Sequence, residues 1–190
     1  MIIGVLALQG AVREHLASLA RLDVAARTVK TERDLDGLSG LILPGGESTA
    51  ISLLAEAGLI DRLKTLARDG FPMFGTCAGM ILLATEVEGR SGGYIQAIDI
   101  TVARNATGRQ VDSFETVLDI EDIGENVPAV FIRAPYITRC GPSVRQMASH
   151  EGRGIMAREG NTLVTSFHPE LTEDTRIHDY FVGMVKETGN

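Results

Sequence analysis

Along the first half of the chain, apolar runs with no interleaved polar position alternate with stretches in which apolar residues recur every three or four places. IIGVLAL (2–8), GLILPGG (40–46) and FPMFGTC (71–77) are near-continuous hydrophobic runs. Such runs predict strands buried on both faces of a parallel sheet. Between them, Val12, Leu16, Leu19 and Ala20 mark one amphipathic helix, with Arg13, Glu14 and Arg21 left for solvent, and Leu59, Leu63 and Leu66 mark another. VAARTV (24–29) reads as a further strand. Strands alternating with helices imply a parallel, doubly wound sheet.

From about residue 94 the pattern shifts to shorter β-type runs. IQAIDITVA, TVLDI, AVFIRAPYI, GIMARE and TLVTSF are separated by turn residues such as NATG and REGN. They predict mixed or antiparallel strands added to the sheet. A final helix presents Ile177, Tyr180, Phe181, Met184 and Val185 on one face. The expectation is one α/β domain over residues 1–190, with a mostly parallel sheet flanked by helices and added antiparallel strands.

Composition narrows the function classes. With 44% hydrophobic and 23% charged residues the chain is ordinary for a globular protein, and its net charge of -7 argues against non-specific binding to nucleic acid or an anionic membrane. MIIGVLALQG has no basic residue ahead of its short apolar stretch and no cleavage site, so it does not read as a signal peptide. No apolar stretch approaches transmembrane length. Two cysteines, Cys77 and Cys140, without a secretory signal imply reduced thiols in the cytoplasm. A cytoplasmic cysteine is then explained by packing or by reactivity.

The segment FGTCAGM (74–80) favours reactivity for Cys77. A strand, a Gly-x-Cys-x-Gly turn and a helix in succession form a nucleophile elbow, which lifts the central side chain at the carboxyl edge of the sheet. The helix that starts there points its positive end at the sulfur. The alternative is a small buried core residue.

Among the four histidines, His15 and His178 fall in helices on largely polar faces, and His150 falls in the polar stretch SHEGRG. All three read as surface residues. His168 differs, because TLVTSFHPE sets it just after an apolar strand, with Pro169 ending the ladder and Glu170 two places on. Together with Cys77, 168 - 77 = 91 positions earlier, it suggests a Cys-His-Glu triad in which Glu170 orients the imidazole. Glu170 also suits a capping role.

LILPGGEST (41–49) is a third loop that follows a strand and precedes a helix. Its glycines expose backbone N–H groups that, with the N–H of Ala78, suit an anionic tetrahedral oxygen. Ser48 or Thr49 is equally suited to capping the next helix. The sequence lacks GxxxxGK, GxGxxG, CxxC and any histidine pair at metal-ligand spacing, so neither a metal nor another cofactor is expected. Asp112 and Glu115 read as a solvated or packing pair.

LALQG, LPGGEST, GTCAGM, RNATGRQVDSFE, FIRAP and SFHPEL together resemble the glutaminase subunits of pyridoxal phosphate synthases, a branch of the class I triad glutamine amidotransferases. The resemblance runs from Gln9 to Leu171. Ala50 and Thr107 depart from the residues usual in that branch, and Ile81 stands where the wider superfamily usually has glutamine.

The resemblance implies the flavodoxin-like fold of class I glutamine amidotransferases and hydrolysis of L-glutamine to glutamate and ammonia, without a cofactor. The ammonia would pass to a separate synthase subunit within a large hetero-oligomeric complex. It also implies Cys77, His168 and Glu170 as catalytic residues, and Gly46 and Ala78 at the oxyanion. Gly45, Gly46, Glu47, Arg104, Ile132 and Arg133 would lie around the substrate. Arginine suits a carboxylate through its two parallel donors. From residue pattern alone, Arg104 and Arg133 read slightly better as surface residues at strand ends. Two other classes remain in view: a cysteine hydrolase or stress protein of a related elbow fold, and a binding module with an idle triad.

Overall fold

The computed structural model describes residues 1–46, 54, 58–104 and 113–189. Four strands are buried along their whole length: β1 (Ile3–Leu6), β3 (Gly40–Leu43), β4 (Met73–Thr76) and β12 (Thr162–Thr165). With β2 (Ala26–Val29) they form a parallel block in the order β2-β1-β3-β4-β12. Because successive side chains of a strand point to opposite faces, each run feeds two cores. Leu41, Leu43, Met73 and Val164 join one, while Ile42, Phe74 and Leu163 join the other. That two-sided burial removes the polar alternation from these runs.

Helices close both faces. Leu19 of α1 (Val12–Arg21), with Ile177, Phe181 and Val185 of α4 (Arg176–Thr188), covers the Ile42–Phe74 side. Leu59 and Leu63 of α2 (Leu59–Arg68) and Met80 and Leu83 of α3 (Ala78–Leu83) cover the opposite side. Each such side chain contributes about 1.5–3 kcal/mol when fully buried. None of the helices among the described residues is long and apolar enough to cross a membrane.

Beyond β12 the sheet turns antiparallel, as the shorter runs predicted. β11 (Arg153–Glu159) pairs antiparallel with β12, with β10 (Arg145–His150) and with β9 (Tyr136–Cys140). β9 then pairs antiparallel with β6 (Ile98–Ala103), and β5 (Ala84–Val87) lies parallel to β6 at the edge. A separate hairpin joins β7 (Phe114–Ile120) to β8 (Gly124–Phe131).

Several local readings change. AVFIRAPYI is not one run: β8 stops at Phe131 and β9 starts at Tyr136, with Arg133 at φ +45° and Pro135 between them. SHEGRG is the turn of the β10–β11 hairpin, with Glu151 and Gly152 both at positive φ. His150 is therefore a strand residue, half buried and stacked on Phe114 and Phe131 at 5.5 and 5.8 Å, and not a free surface histidine.

Candidate active site

Three neighbouring strands deliver their ends to one edge of the sheet. Leu43 of β3 is level with Gly75 of β4, and Thr76 of β4 is level with Thr165 of β12. Pro44–Gly46, Cys77 and His168 therefore emerge side by side, at the carboxyl ends where an open α/β sheet binds ligands. The backbone N–H of Cys77 donates to the Thr165 carbonyl at 2.8 Å, which locks the two strand ends together.

Cys77 sits at φ 50°, ψ -108°, a conformation that persists only where its surroundings over-determine it. They do so through two glycines. A Cβ on Gly79 would lie 2.0 Å from the Leu43 carbonyl oxygen, and one on Gly75 would lie 2.6 Å from the backbone of Gly79. The elbow is thus held by backbone-to-backbone packing that no side chain permits. Its product is a nearly buried sulfur, 3.9 Å from the Ile132 carbonyl oxygen. The strained backbone of Arg133 immediately follows that carbonyl.

His168 is anchored from two sides. Its backbone N–H donates to the Val130 carbonyl at 2.8 Å, and its ring Nδ1–H donates to Glu170 Oε1 at 2.7 Å. Burial opposes a charge on this imidazole, but hydrogen bonds to Cys77 and Glu170, together with their charges, outweigh it and raise the pKa to about 10. The ring is therefore poised as an imidazolium between a sulfur and a carboxylate. Since Nδ1 is engaged by Glu170, Nε2 is the nitrogen available to Cys77.

Gly45 lines the space between these groups: a Cβ there would lie 2.6 Å from His168 Cε1 and 2.9 Å from Cys77 Cβ. The Gly45 N–H donates to Thr76 Oγ1 at 3.2 Å, and its carbonyl oxygen packs on Gly10. Gly46 is exposed beside the Gln9 side chain, and Ala78 opens α3. Arg133 is exposed next to Ile132. Arg104, exposed at the end of β6, donates to the Tyr94 hydroxyl at 2.8 Å, a contact that does not tie it to Cys77 or His168. Glu47, Ser48, Thr49, Ala50, Thr107 and Asp112 lie outside the described residues, while Glu115 is exposed on β7. Cys140 is half buried on β9; burial pushes its thiol up, and its sulfur lies 3.9 Å from Gln146 Oε1, with no histidine beside it among the described residues. Among the described residues no cluster of His, Cys, Asp or Glu is placed to hold a metal.

Two histidines read as surface residues prove to be fully buried. His15 Nδ1 lies 2.9 Å from His178 Nε2, and His15 Nε2 lies 3.3 Å from Thr76 Oγ1 and 3.6 Å from Glu170 Oε1. Burial holds both rings neutral. For His15 the neighbouring His178 and His168 add to burial and lower it well below 6.5, and for His178 burial and then Arg21 lower it to about 4.

These shifts predict the pH dependence of stability. Below pH 6.5 the unfolded chain protonates His15 and His178 while the native chain does not, so stability falls with acid towards pH 4 at about 1.4 kcal/mol per pH unit per proton. His168 has the opposite sign: its contribution is complete below 6.5 and is lost as pH rises towards 10. Urea titrations from pH 4 to 10 are expected to show greatest stability near pH 6–7, and His178→Phe is expected to flatten the acid side. An unchanged acid slope in His178→Phe would exclude this assignment.

Comparisons with known proteins bear on the family and the fold. Residues 5–187 match the SNO glutamine amidotransferase family. The chain is 50% identical over 188 residues to the pyridoxal 5'-phosphate synthase subunit PdxT of Brevibacillus brevis, covering 98% of each chain. It is 52% identical to the subunit of the same name from Corynebacterium jeikeium, covering 100% of this chain and 99% of that one. Among solved structures, a glutamine amidotransferase superposes with a TM-score of 0.91 at 43% identity, covering 98% of this chain and 100% of the other. A putative GMP synthase subunit from Thermoplasma acidophilum shares the fold at a TM-score of 0.70 and 18% identity.

Proposed function

The chain belongs to the SNO glutamine amidotransferase family, and from that premise we propose that it is the glutaminase subunit of a pyridoxal 5'-phosphate synthase, acting through Cys77, His168 and Glu170. It hydrolyses L-glutamine to glutamate and ammonia. The observation that carries the site assignment is the juxtaposition at one sheet edge: a cysteine on a strained elbow, a histidine bonded to a buried carboxylate at 2.7 Å, and a glycine backbone lining the gap between sulfur and imidazole.

The chemistry follows from that arrangement. The Cys77 sulfur, as thiolate beside the His168 imidazolium, attacks the side-chain amide carbon of glutamine and forms a tetrahedral oxyanion. Backbone N–H groups of Gly46 and Ala78 stabilise that oxygen. The His168 Nε2–H protonates the departing nitrogen, the C–N bond breaks, and ammonia leaves a thioester on Cys77. Neutral His168 then takes a proton from water, whose oxygen attacks the thioester; glutamate is released and the thiolate–imidazolium pair returns. Glu170 fixes the tautomer and balances the imidazolium charge. Glu47, Ile132, Arg104 and Arg133 complete the substrate surroundings in this reading.

A glutaminase that releases ammonia into water delivers it to protonation, which removes its nucleophilicity. The reading therefore includes a cytoplasmic hetero-oligomer, in which this single domain of residues 1–190 docks a synthase subunit at the edge carrying Leu8–Gly10. The Gly45–Gly46 peptide, with its carbonyl on Gly10, supplies a switch, because glycines permit it to reorient at small steric cost. Glutamate release by the purified chain is expected to be slow and to rise severalfold or more when the synthase subunit is added. Equal turnover with and without that subunit would refute the switch.

A further inference from the structure

Behind the candidate triad lies a buried polar chain that the proposed chemistry does not use. His178 on α4 meets His15 on α1 at 2.9 Å, and His15 meets Thr76 at the end of β4 at 3.3 Å. Thr76 in turn accepts from the N–H of Gly45 at 3.2 Å. Both histidines are completely buried against Phe74, whose ring lies 6.3 Å from His15 and 5.9 Å from His178 in edge-on geometry. Two neutral imidazoles in an apolar layer cost desolvation that two leucines would not. Their presence in that layer points to a task.

The hydrogen-bond directions can be assigned. His178 Nδ1 is buried without a partner among the described residues. If that nitrogen carried the hydrogen, a buried N–H would be orphaned; if it is bare, the cost is the smaller one of an unused lone pair. His178 Nε2–H therefore donates to His15 Nδ1. His15 must then carry its hydrogen on Nε2, where it donates to Thr76 Oγ1 and faces Glu170 Oε1 at 3.6 Å. The opposite tautomer would aim a lone pair at a buried carboxylate whose second oxygen, Oε2, has no partner among the described residues.

From this network we infer that His15, held by His178, is a positioning residue that fixes Glu170 and, through Thr76, the Gly45 backbone relative to one another. One ring thus abuts both halves of the candidate machinery: the carboxylate that orients His168 and the loop that borders the oxyanion. α1 and α4 transmit their placement to the site through it. The inference rests on the glutaminase reading, in which both halves must be aligned in the same transition state.

The test uses the full chain in a Cys140→Ala background, with the synthase subunit present. His15→Leu removes the donor and keeps an apolar filling; His15→Gln places an amide N–H near the position of ring Nε2. In His15→Leu, kcat is expected to fall about 10- to 100-fold with KM changed little, the cost of sub-ångström to ångström misplacement. In His15→Gln most of the activity returns. Alkylation of Cys77 by iodoacetamide at neutral pH, which needs no glutamine, is expected to slow severalfold in His15→Leu and to recover in His15→Gln. Should His15→Leu fail to fold, Thr76→Val, which removes the shared hydroxyl at constant volume, is expected to lose at least tenfold in kcat. Folded His15→Leu or Thr76→Val with normal kcat and normal alkylation would overturn the inference, as would His15→Gln behaving like His15→Leu at equal thermal stability. Absence of glutamate release from the parent protein would instead sink the glutaminase reading, and the alkylation rates would still decide the role of His15.

Discussion

Cys77→Ala is expected to abolish glutamate release while leaving the protein folded. The sulfur supplies the only bond by which the glutamine acyl group is held, so no neighbouring group substitutes for it. The structural cost is small, because the substitution removes one atom from a nearly buried side chain, about 1 kcal/mol, or about 2–4 °C in Tm for a chain of this size. A complex carrying Cys77→Ala is expected to form pyridoxal 5'-phosphate from ammonium salt but not from glutamine. Cys140→Ala is expected to be silent, since that thiol is raised by burial and has no histidine beside it among the described residues. Wild-type glutamate release by Cys77→Ala would remove the nucleophile assignment. Loss of the ammonium-fed reaction would show that Cys77 serves more than ammonia production.

His168→Asn is expected to lose about 10³–10⁴-fold in kcat, and Glu170→Gln about 10²-fold, the upper and lower parts of the range for acid–base machinery. The asymmetry follows from their roles: His168 moves the proton, whereas Glu170 aims the ring and stabilises its charge. Because the imidazolium persists to about pH 10, the alkaline limb of the wild-type rate profile is expected near that value. Removing the Glu170 charge removes one cause of the elevation, so the limb moves to lower pH in Glu170→Gln. A full rate in His168→Asn would dismiss the triad. An unmoved alkaline limb in Glu170→Gln would dismiss the coupling of carboxylate to imidazole.

The sheet and the candidate triad were legible because the features that encode them are local. A run such as GLIL has no polar alternation when both strand faces are covered, whatever covers them. Gly75 and Gly79 announce a turn that side chains forbid. His168 and Glu170 stand two residues apart across Pro169, so their contact at 2.7 Å needs little from the rest of the chain. The bond between β12 and the Cys77 elbow was less direct, but strands at one sheet edge bring their ends together once the topology is known.

The supporting histidines were misread, although their spacing carried the signal. His15 falls three residues after Val12 and four before Leu19, and His178 falls three and four residues before Phe181 and Val182, so each lies within its helix's apolar stripe. Assignment to largely polar helix faces suggested solvent, whereas position within the apolar stripe indicated core.

The sequence by itself determined the parallel block, the elbow and the His168–Glu170 pair, since each is written in residues a few places apart. Only the tertiary structure decided that His15 and His178, 163 residues apart, meet beneath Glu170, that the Ile132 carbonyl faces Cys77, and that Arg104 bonds to Tyr94. The physical reason is that a side chain's periodicity sets which face of its element it occupies, while its partner is set by whatever distant element packs on that face. Burial, tautomer and charge all depend on that partner.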